Sequence, residues 1–397
     1  MNQDFFIRNR NAISRAMDTD VLVFSGNILM QSSNDASFAF KQEANFWYLT
    51  GIDAPGWSLI IEGEKSYLSA PDVDEVHRIF DGSLSDSDAL AISGVDQVVS
   101  YEQGEALLEK MKEANLKVAA LGIDPHKDHY DFALNPGPTD LLSKLQRLFG
   151  KVQDCRRELA LLRAVKTPEE IQLIRQAIQT TIDGFEVVRS KLQHYSFEYE
   201  LEAEFTYQFR KQGATGHAYD PIVAAGKNAC TLHYGKNQAA LRDGQLVLLD
   251  IGAQVQGYAA DITRTYAYGE VSGRQRAVHV EVQGAHEQII ALLRPGLAVK
   301  EYAQKVDIIM MQALTNLGLM KTPDDYRKYF PHAISHGLGI DVHDSLGSPV
   351  EFKAGMVLTV EPGIYIPEEG IGVRIEDDIL ITDSGHENLS KQLSTSL

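Results

Sequence analysis

The sequence predicts two domains, an α/β domain over residues 1–155 and an α+β domain over residues 156–397. Short apolar runs alternate with amphipathic stretches in the first part, which is typical of strands and helices that succeed one another. Thr167 then opens a well-marked helix, because Pro168 follows it and Glu170 stands three residues on. Beyond Gly216 the pattern changes to strands and turns that are rich in acidic residues. With 44% apolar residues, the chain can bury a sizeable core in each domain.

The expected elements of the N-terminal domain follow in order. Buried strands are expected at three apolar runs, Val21–Phe24, Trp57–Ile61 and Lys117–Ile123. Helices are expected at Tyr101–Ala114 and Leu141–Phe149, where apolar residues recur at helical spacing. The segment Asn135–Pro138 (NPGP) has the composition of a turn.

In the C-terminal domain, the capped helix is expected over Ile171–Lys191. Three further helices are expected at Tyr199–Gln212, Gly273–Leu293 and Val299–Leu317. Two strand-like runs, Leu246–Ile251 and Tyr258–Tyr266, flank a polar turn region at Gln254–Gly257, which predicts an antiparallel hairpin.

Charge and cysteine content exclude several classes of protein. A net charge of −18 argues against binding to nucleic acid or to an anionic membrane surface. Two cysteines, Cys155 and Cys230, are too few for a disulfide framework or a thiolate zinc site. The opening MNQDFFIRNRNAISRAMD lacks the apolar core of a secretory signal, and no apolar run is long enough to span a membrane. We therefore expect a cytoplasmic protein.

The predicted hairpin carries an unusual pair of acids. Asp250 ends the apolar run Leu246–Leu249, and Asp261 follows eleven residues later. If the two strands pair, both carboxylates can point to one side, and buried carboxylates are costly without a positive partner. Taken alone, the pair fits equally well with a turn residue and a surface acid.

Three later segments also place an acidic residue or a histidine within or next to an apolar strand-like run. PHAISHGLGIDVHD at 331–344 contains three histidines, VLTVEPGIY at 357–365 leads into Glu361, and GVRIEDDIL at 372–380 contains Glu376. Four carboxylates and an imidazole form an oxygen-rich donor set that suits manganese, cobalt or iron(II) better than a thiolate zinc site does. Four negative charges balance two divalent cations. Such a pair of ions can activate water and polarise a carbonyl, as peptide hydrolysis requires.

The ordered set Asp250, Asp261, His336, Glu361 and Glu376 resembles the five-ligand signature of the pita-bread metallopeptidases. DIGAQVQGYAADITRT, SHGLGIDVHD, EPGIY and VRIEDD carry the resemblance, which is strongest to aminopeptidase P and the related Xaa-Pro dipeptidases (prolidases). NFWYLTG at 45–51 is also similar to the N-terminal domain of aminopeptidase P. The resemblance implies an α/β N-terminal domain before an α+β pita-bread catalytic domain (the creatinase/aminopeptidase fold). It also implies a substrate peptide with proline in the second position.

The resemblance further implies a role for each motif residue. Asp261 and Glu376 would bridge two divalent metal ions, Asp250 would chelate one ion, and His336 and Glu361 would complete the other. Mn²⁺ is the expected ion, with Co²⁺, Fe²⁺ or Zn²⁺ as alternatives. Glu361 would also shuttle a proton.

Four further residues would act on the substrate. His343 would stabilise the oxyanion or hydrogen-bond the substrate, and His233 would lie on the substrate side. His332 would border the proline pocket. Arg374 would orient nearby acids or meet a substrate carboxylate, and it fits equally well with a purely structural ion pair.

Two alternative functions stay open. A Xaa-Pro dipeptidase would use the same site but needs a group that binds the free carboxylate of a dipeptide. A metal-free pita-bread binding protein or a creatinase-like enzyme would have lost ligands, whereas all five are present. Methionine aminopeptidase does not need the leading domain.

Two segments, VHRIFDG at 76–82 (with Phe80) and SFAFKQ at 37–42, depart from the aminopeptidase P pattern, so the preferred peptide length stays open. Relatives lead us to expect a homodimer or homotetramer.

Overall fold

A six-stranded mixed sheet forms the centre of the first of two units, Met1–Leu162 and Arg163–Leu397, in a computed structural model that describes all residues 1–397. The strand order is β6-β5-β4-β1-β7-β8. Strands β1, β4 and β5 pair antiparallel, whereas β5–β6, β1–β7 and β7–β8 are parallel. The strands of this unit are β1 (Val21–Ser25), β2 (Gln31–Ser33), β3 (Ala36–Ser37), β4 (Ser58–Glu62), β5 (Lys65–Ser69), β6 (Gln97–Val99), β7 (Val118–Ala120) and β8 (Val152–Asp154).

Buried residues of two helices, Tyr101–Glu113 and Pro136–Phe149, complete the core of this sheet. Leu108 and Met111 of one helix pack with Val23 and Ile60 of the central strands. The helices are α1 (Gln3–Ala16), α2 (Ala44–Thr50), α3 (Glu75–Asp81), α4 (Asp86–Ser93), α5 (Tyr101–Glu113), α6 (His126–Tyr130), α7 (Pro136–Phe149) and α8 (Arg156–Ala164).

The sequence prediction was wrong at the NPGP segment. Asn135 is the N-cap of α7, its side chain accepts the backbone N–H of Gly137, and Pro136 occupies the first helical position. Proline is well suited to that position because its fixed φ matches the helix. An N–H at this position would have no acceptor within the helix, so its absence costs nothing. The segment therefore begins the helix that we expected to start at Leu141. Helix α1 was not predicted, and β7 is shorter than the run Lys117–Ile123.

The second unit contains five α-helices and four small sheets. The helices are α9 (Pro168–Ser190), α10 (Glu198–Lys211), α11 (Gly273–Ile290), α12 (Val299–Asn316) and α13 (Asp325–Tyr329). The strands are β9 (Gly216–His217), β10 (Ile222–Ala225), β11 (Gln245–Ile251), β12 (Ala253–Val255), β13 (Tyr258–Ala259), β14 (Ile262–Tyr268), β15 (Val357–Val360), β16 (Gly363–Ile366), β17 (Ile371–Arg374), β18 (Asp377–Ile381) and β19 (His386–Asn388). The sheets are β10-β11-β14, β13-β12-β9, β15-β18-β19 and β16-β17.

The expected hairpin and capped helix are confirmed. Strands β11 and β14 pair antiparallel from Gln245–Tyr268 to Ile251–Ile262. The tip of the hairpin turns away to form a separate sheet of β12, β13 and β9. Thr167 and Glu170 make both hydrogen bonds of a capping box at the start of α9. The hairpin thus supplies a rigid frame on which both acids lie.

A large apolar core lies beneath the acid-bearing strands. Val278 and Val282 of α11 and Met310 of α12 pack with Leu358 of β15 and Val373 of β17, and all five are essentially inaccessible to solvent. Burial of this size holds the short strands in place, since each apolar side chain contributes about 1.5–3 kcal/mol. None of the helices combines the length and the apolar surface needed to cross a lipid bilayer.

Candidate metal centre

The hairpin brings Asp250 and Asp261 together. Asp250 pairs with Thr263 in the β11–β14 ladder, and Asp261 directly precedes β14. The hydroxyl of Tyr219 lies 2.6 Å from Oδ1 of Asp250 and 2.7 Å from Oδ1 of Asp261. Because a phenol has one proton, it donates to one carboxylate at a time and keeps both oxygens close.

The later strands add the two glutamates. Glu361 follows the last residue of β15, and Glu376 lies in the break between β17 and β18. The N–H of Glu376 donates to the carbonyl of Thr263 at 3.0 Å, and the hydroxyl of Thr263 donates to Oε2 of Glu376 at 2.6 Å. This pairing joins the hairpin to the β17–β18 junction and so brings Glu376 beside Asp261.

His336 completes the group from a loop anchored on β15. Its N–H donates to the hydroxyl of Thr359 at 3.2 Å, and the N–H of Thr359 donates to the carbonyl of His336 at 2.9 Å. Its Nδ1 lies 2.9 Å from the carbonyl of Gly337. A carbonyl only accepts, so Nδ1 carries a proton and Nε2 faces the acids, 3.4 Å from Asp261 and 3.6 Å from Glu361.

The donor atoms cluster closely enough to hold cations. Three overlapping groups each have their donor atoms within 4.8 Å of one another: Asp250, Asp261 and Glu376; His336, Glu361 and Glu376; and Asp261, His336 and His343. These groups contain all five predicted ligands. Arg374 is the single arginine or lysine on the cavity wall, against five carboxylates, the four of the donor set and Asp220.

The pKa values of three of these carboxyl groups are raised, because their negative charges lack enough positive partners. Burial is the main cause that raises the pKa values of Asp250 and Glu376, and neighbouring carboxylates add to it. Burial likewise raises the pKa of Glu361 to about 7. Buried carboxylates that repel one another become stable when cations join them. The residues therefore fit divalent metal ions.

All nine predicted site residues line one cavity of about 350 Å³. Among the four residues outside the five predicted ligands, His233 is exposed on the wall. His343, which also belongs to one of the donor groups, packs its ring edge-on against His336, with centroids 4.4 Å apart. The ring of His332 is oriented by two contacts. Its Nδ1 lies 2.7 Å from the carbonyl of Ala333, and its Nε2 lies 2.9 Å from the hydroxyl of Tyr365.

Arg374 donates three hydrogen bonds to protein partners, one from each guanidinium nitrogen. Its guanidinium donates to Oδ2 of Asp250 at 2.5 Å, to the hydroxyl of Tyr365 at 2.8 Å and to the hydroxyl of Thr263 at 3.1 Å. Three donors committed in this way favour an orienting role for Arg374 over binding of a substrate carboxylate.

Sequence reasoning missed three residues of the site: Tyr219, Thr263 and Tyr365. Thr263 could have been found from strand periodicity, because it lies two residues after Asp261 and so shares a face with it. Tyr365 stands at the end of the quoted segment VLTVEPGIY. Tyr219 carries no local signal, since it lies 31 residues from its partner Asp250.

Fold and donor set together define a metal-dependent hydrolase. Sequence profiles agree: Metallopeptidase family M24 matches residues 172–383, and the Aminopeptidase P, N-terminal domain matches residues 6–119. The chain belongs to the aminopeptidase P family of metallopeptidases. The predicted fold class, an α/β domain followed by a pita-bread domain, is confirmed.

Individual relatives are similar over nearly their whole length. A Xaa-Pro aminopeptidase of Haemophilus influenzae is 33% identical over 98% of this chain and 94% of its own. The structure of aminopeptidase P from E. coli with the inhibitor Pro-Leu matches with a TM-score of 0.85 and 30% identity, covering 100% of this chain and 96% of that one. A Zn-substituted form of the E. coli enzyme in complex with product matches with a TM-score of 0.85 and 29% identity, at the same coverage.

Proposed function

We propose that this protein is a Xaa-Pro aminopeptidase, which removes the N-terminal residue from peptides that have proline in the second position. The observation that carries the proposal is one cavity in which five carboxylates, three of them buried, face four histidines and a single arginine. The similarity to Xaa-Pro aminopeptidases over almost the whole chain supports the same activity.

We infer that five residues would hold two divalent ions, with Mn²⁺ the proposed species. Asp261 and Glu376 would contact both ions, Asp250 one of them, and His336 and Glu361 the other. The oxygen-rich donor set supports Mn²⁺ over ions that prefer thiolates. When bound, the ions would supply Lewis acidity and activate water for attack on the scissile carbonyl.

Glu361 is the proposed proton carrier. Its carboxylate lines the cavity beside His336, so it can reach groups that bind there, as a general acid–base requires. The carboxylate can therefore take a proton at one side of the cavity and deliver it to the departing amine. His343 and His233 line the same cavity and would donate hydrogen bonds to the substrate.

Shape would select proline beside the scissile bond. The amide of an Xaa-Pro bond lacks an N–H, so its ring must be recognised by packing. His332 offers such a surface, since its ring packs edge-on against Phe330 at 5.0 Å and Tyr365 at 5.5 Å. We propose that His332, supported from behind by the buried rings of Phe330 and Tyr365, forms the proline-side wall.

The same cavity distinguishes the aminopeptidase from a Xaa-Pro dipeptidase. A dipeptidase must bind the free carboxylate of its substrate, and Arg374, the single arginine or lysine of the wall, already donates to Asp250, Tyr365 and Thr263. A longer peptide has no free carboxylate next to the proline, so an aminopeptidase does not need a cationic side chain at that point of the cavity. This observation favours the aminopeptidase.

A paired assay tests the proposal. With Mn²⁺ added, we expect cleavage of a Xaa-Pro-Xaa tripeptide at a rate well above that of a Xaa-Pro dipeptide. Cleavage of the dipeptide alone would make the protein a dipeptidase.

In parallel, Asp261→Ala is expected to lose metal and nearly all activity, and full turnover by this variant would refute the metal assignment. Metal analysis of protein purified without chelator that found no divalent ion would favour the metal-free alternative.

We also propose a homodimer or homotetramer. Helix α3 has no buried residue, and its Val76, Ile79 and Phe80 are 61%, 75% and 81% exposed. Exposed apolar clusters commonly mark protein interfaces. Light scattering of the native protein and of Phe80→Glu tests this, with a monomeric native protein as the contrary result.

Two further expectations belong to the same proposal. We propose that residues 1–155 and 156–397 act as the N-terminal and catalytic domains. A cytoplasmic location accords with the two unpaired cysteines, Cys155 and Cys230. Cell fractionation tests the location.

A further inference from the structure

Two cations outside the donor set, Arg163 and Lys166, are almost completely buried. Their side chains are 5% and 1% exposed. Lys166 Nζ lies 3.2 Å from Oδ2 of Asp344, and Arg163 Nη2 lies 2.9 Å from Oδ1 of Asp344 and 2.7 Å from Asp341. Because buried ion pairs add little net stability, this network requires another explanation.

The backbone around the two cations is rigid. The N–H of Lys166 donates to the carbonyl of Gly355 at 2.9 Å, and Val165 forms a bridge with Met356, next to β15. Directly afterwards, Thr167 caps α9. The backbone that carries Arg163 and Lys166 is therefore held in place on both sides, and their side chains can fix the position of Asp344.

Asp344 closes the loop 337–344, which follows His336 and contains His343. Its N–H donates to the carbonyl of Gly337 at 2.9 Å, so the two ends of the loop meet. Gly339 lies beneath the carboxylate: a Cβ at this position would be 2.1 Å from Oδ2 of Asp344 and 3.1 Å from Cε of Lys166. The glycine thus makes room for the ion pair inside the loop.

The imidazole of His343 makes no hydrogen bond to the protein and contacts only the ring of His336 among aromatic groups. Its location is consequently set by its backbone, and the next residue in the chain is the anchored Asp344. Movement of Asp344 would move His343 within the cavity, whereas His336 has its own anchor on Thr359.

We propose that Arg163 and Lys166 are positioning residues, which hold His343 at the cavity by fixing Asp344. The proposal rests on the catalytic role given to His343 in the proposed function. Misplacement by about 1 Å can cost up to about a hundredfold in rate. Loss of an anchoring charge should therefore lower kcat and leave metal binding intact.

A double-mutant cycle tests this. Lys166→Met is expected to lower kcat at least about tenfold, with KM changed less than about threefold, and Lys166→Arg to recover most of the loss. If Lys166 acts through His343, Lys166→Met combined with His343→Ala should lose no more than His343→Ala alone. Additive losses would overturn the proposal.

Metal titration supplies a second readout. Lys166→Met should bind metal with an affinity within about threefold of the native protein. Loss of metal would mean that Lys166 supports the donor set and would also overturn the proposal. Arg175→Met is the control, because Arg175 forms a half-buried bidentate pair with Glu387 and does not line the cavity. Its kcat should be unchanged.

Two other outcomes are distinguishable. If His343→Ala kept full turnover, the catalytic role of His343 in the proposed function would fail, and this inference with it, while the metal assignment would stand. If Lys166→Met did not fold, Asp341→Asn would replace it, since Asp341 is 45% exposed and pairs with Arg163. That variant should lower kcat about threefold and show the same non-additivity with His343→Ala.

Discussion

Thr263 and Glu376 are joined by two hydrogen bonds across 113 residues of chain. The hydroxyl of Thr263 donates to Oε2 of Glu376 at 2.6 Å, and the N–H of Glu376 donates to the carbonyl of Thr263 at 3.0 Å. Both residues are buried. Because Thr263 lies two residues after Asp261, this pairing brings together the two carboxylates that we propose to share both ions.

Replacing Thr263 with valine removes the hydroxyl and keeps a similar shape. We expect metal affinity to fall about 10- to 100-fold, because Glu376 loses the donor that orients it. Calorimetric titration of chelator-treated protein measures this. Thr181→Val is the matched control: Thr181 is equally buried, but its hydroxyl bonds to Ala177 and Ala253. Equal metal affinities for the Thr263 variant and the native protein would contradict the orienting role.

Tyr219→Phe should make metal binding more sensitive to acid. The hydroxyl hydrogen bond lowers the pKa of Asp250, which burial otherwise raises. Without the hydroxyl, protons compete better with metal, and the pH of half-maximal metal loading should rise by about half a unit. Metal content measured across pH 5–8 tests this. Tyr258→Phe is the control: it removes a buried hydroxyl that donates to Glu170, and it should leave the pH dependence of metal content unchanged.

Metal-free protein should lose stability as pH rises through the neutral range. Burial lowers the pKa of His336, but Asp261 and Glu361 outweigh it and raise that pKa from 6.5 to about 9. The imidazolium therefore stabilises the fold fully below pH 6.5, and this contribution, about 3 kcal/mol, disappears by pH 9. We expect Tm to fall by roughly 5 °C over this interval.

Thermal unfolding with chelator measures this effect of pH. His336→Gln should reduce the dependence, since the glutamine cannot gain a proton, while Glu361, whose pKa burial raises to about 7, keeps part of it. Saturating metal should also weaken it, because a metal ligand imidazole is neutral. A metal-free Tm that is constant or rises between pH 6.5 and 9 would be incompatible with this account.

His332→Ala should chiefly weaken substrate binding. His332 belongs to the proposed proline-side wall and is absent from the clustered metal donors. We expect KM for a Xaa-Pro tripeptide to rise about tenfold while kcat changes less than about threefold. Steady-state kinetics measure both constants, with the exposed His194→Ala as control. A large fall in kcat at constant KM would assign His332 to the chemical step.

Much of the second unit was predictable because its signals are local. A capping box at Thr167 and apolar residues at helical spacing specify α9 without reference to the rest of the chain. The same is true of the β11–β14 hairpin, whose strands are separated by a short polar turn. The NPGP segment was mispredicted because proline and glycine favour both turns and helix starts, and the N-cap hydrogen bond of Asn135 decides between them.

By itself, the sequence determined the chemistry of the donor set, since carboxylates and imidazoles in these motifs leave little choice but metal-dependent hydrolysis. The tertiary structure decided which groups share charge and protons. It commits Arg374 to Asp250, places the Tyr219 hydroxyl between two acids, and anchors the His343 loop on Lys166. Such contacts join residues up to 178 positions apart. Periodicity and capping act over a few residues, so no local pattern contains them.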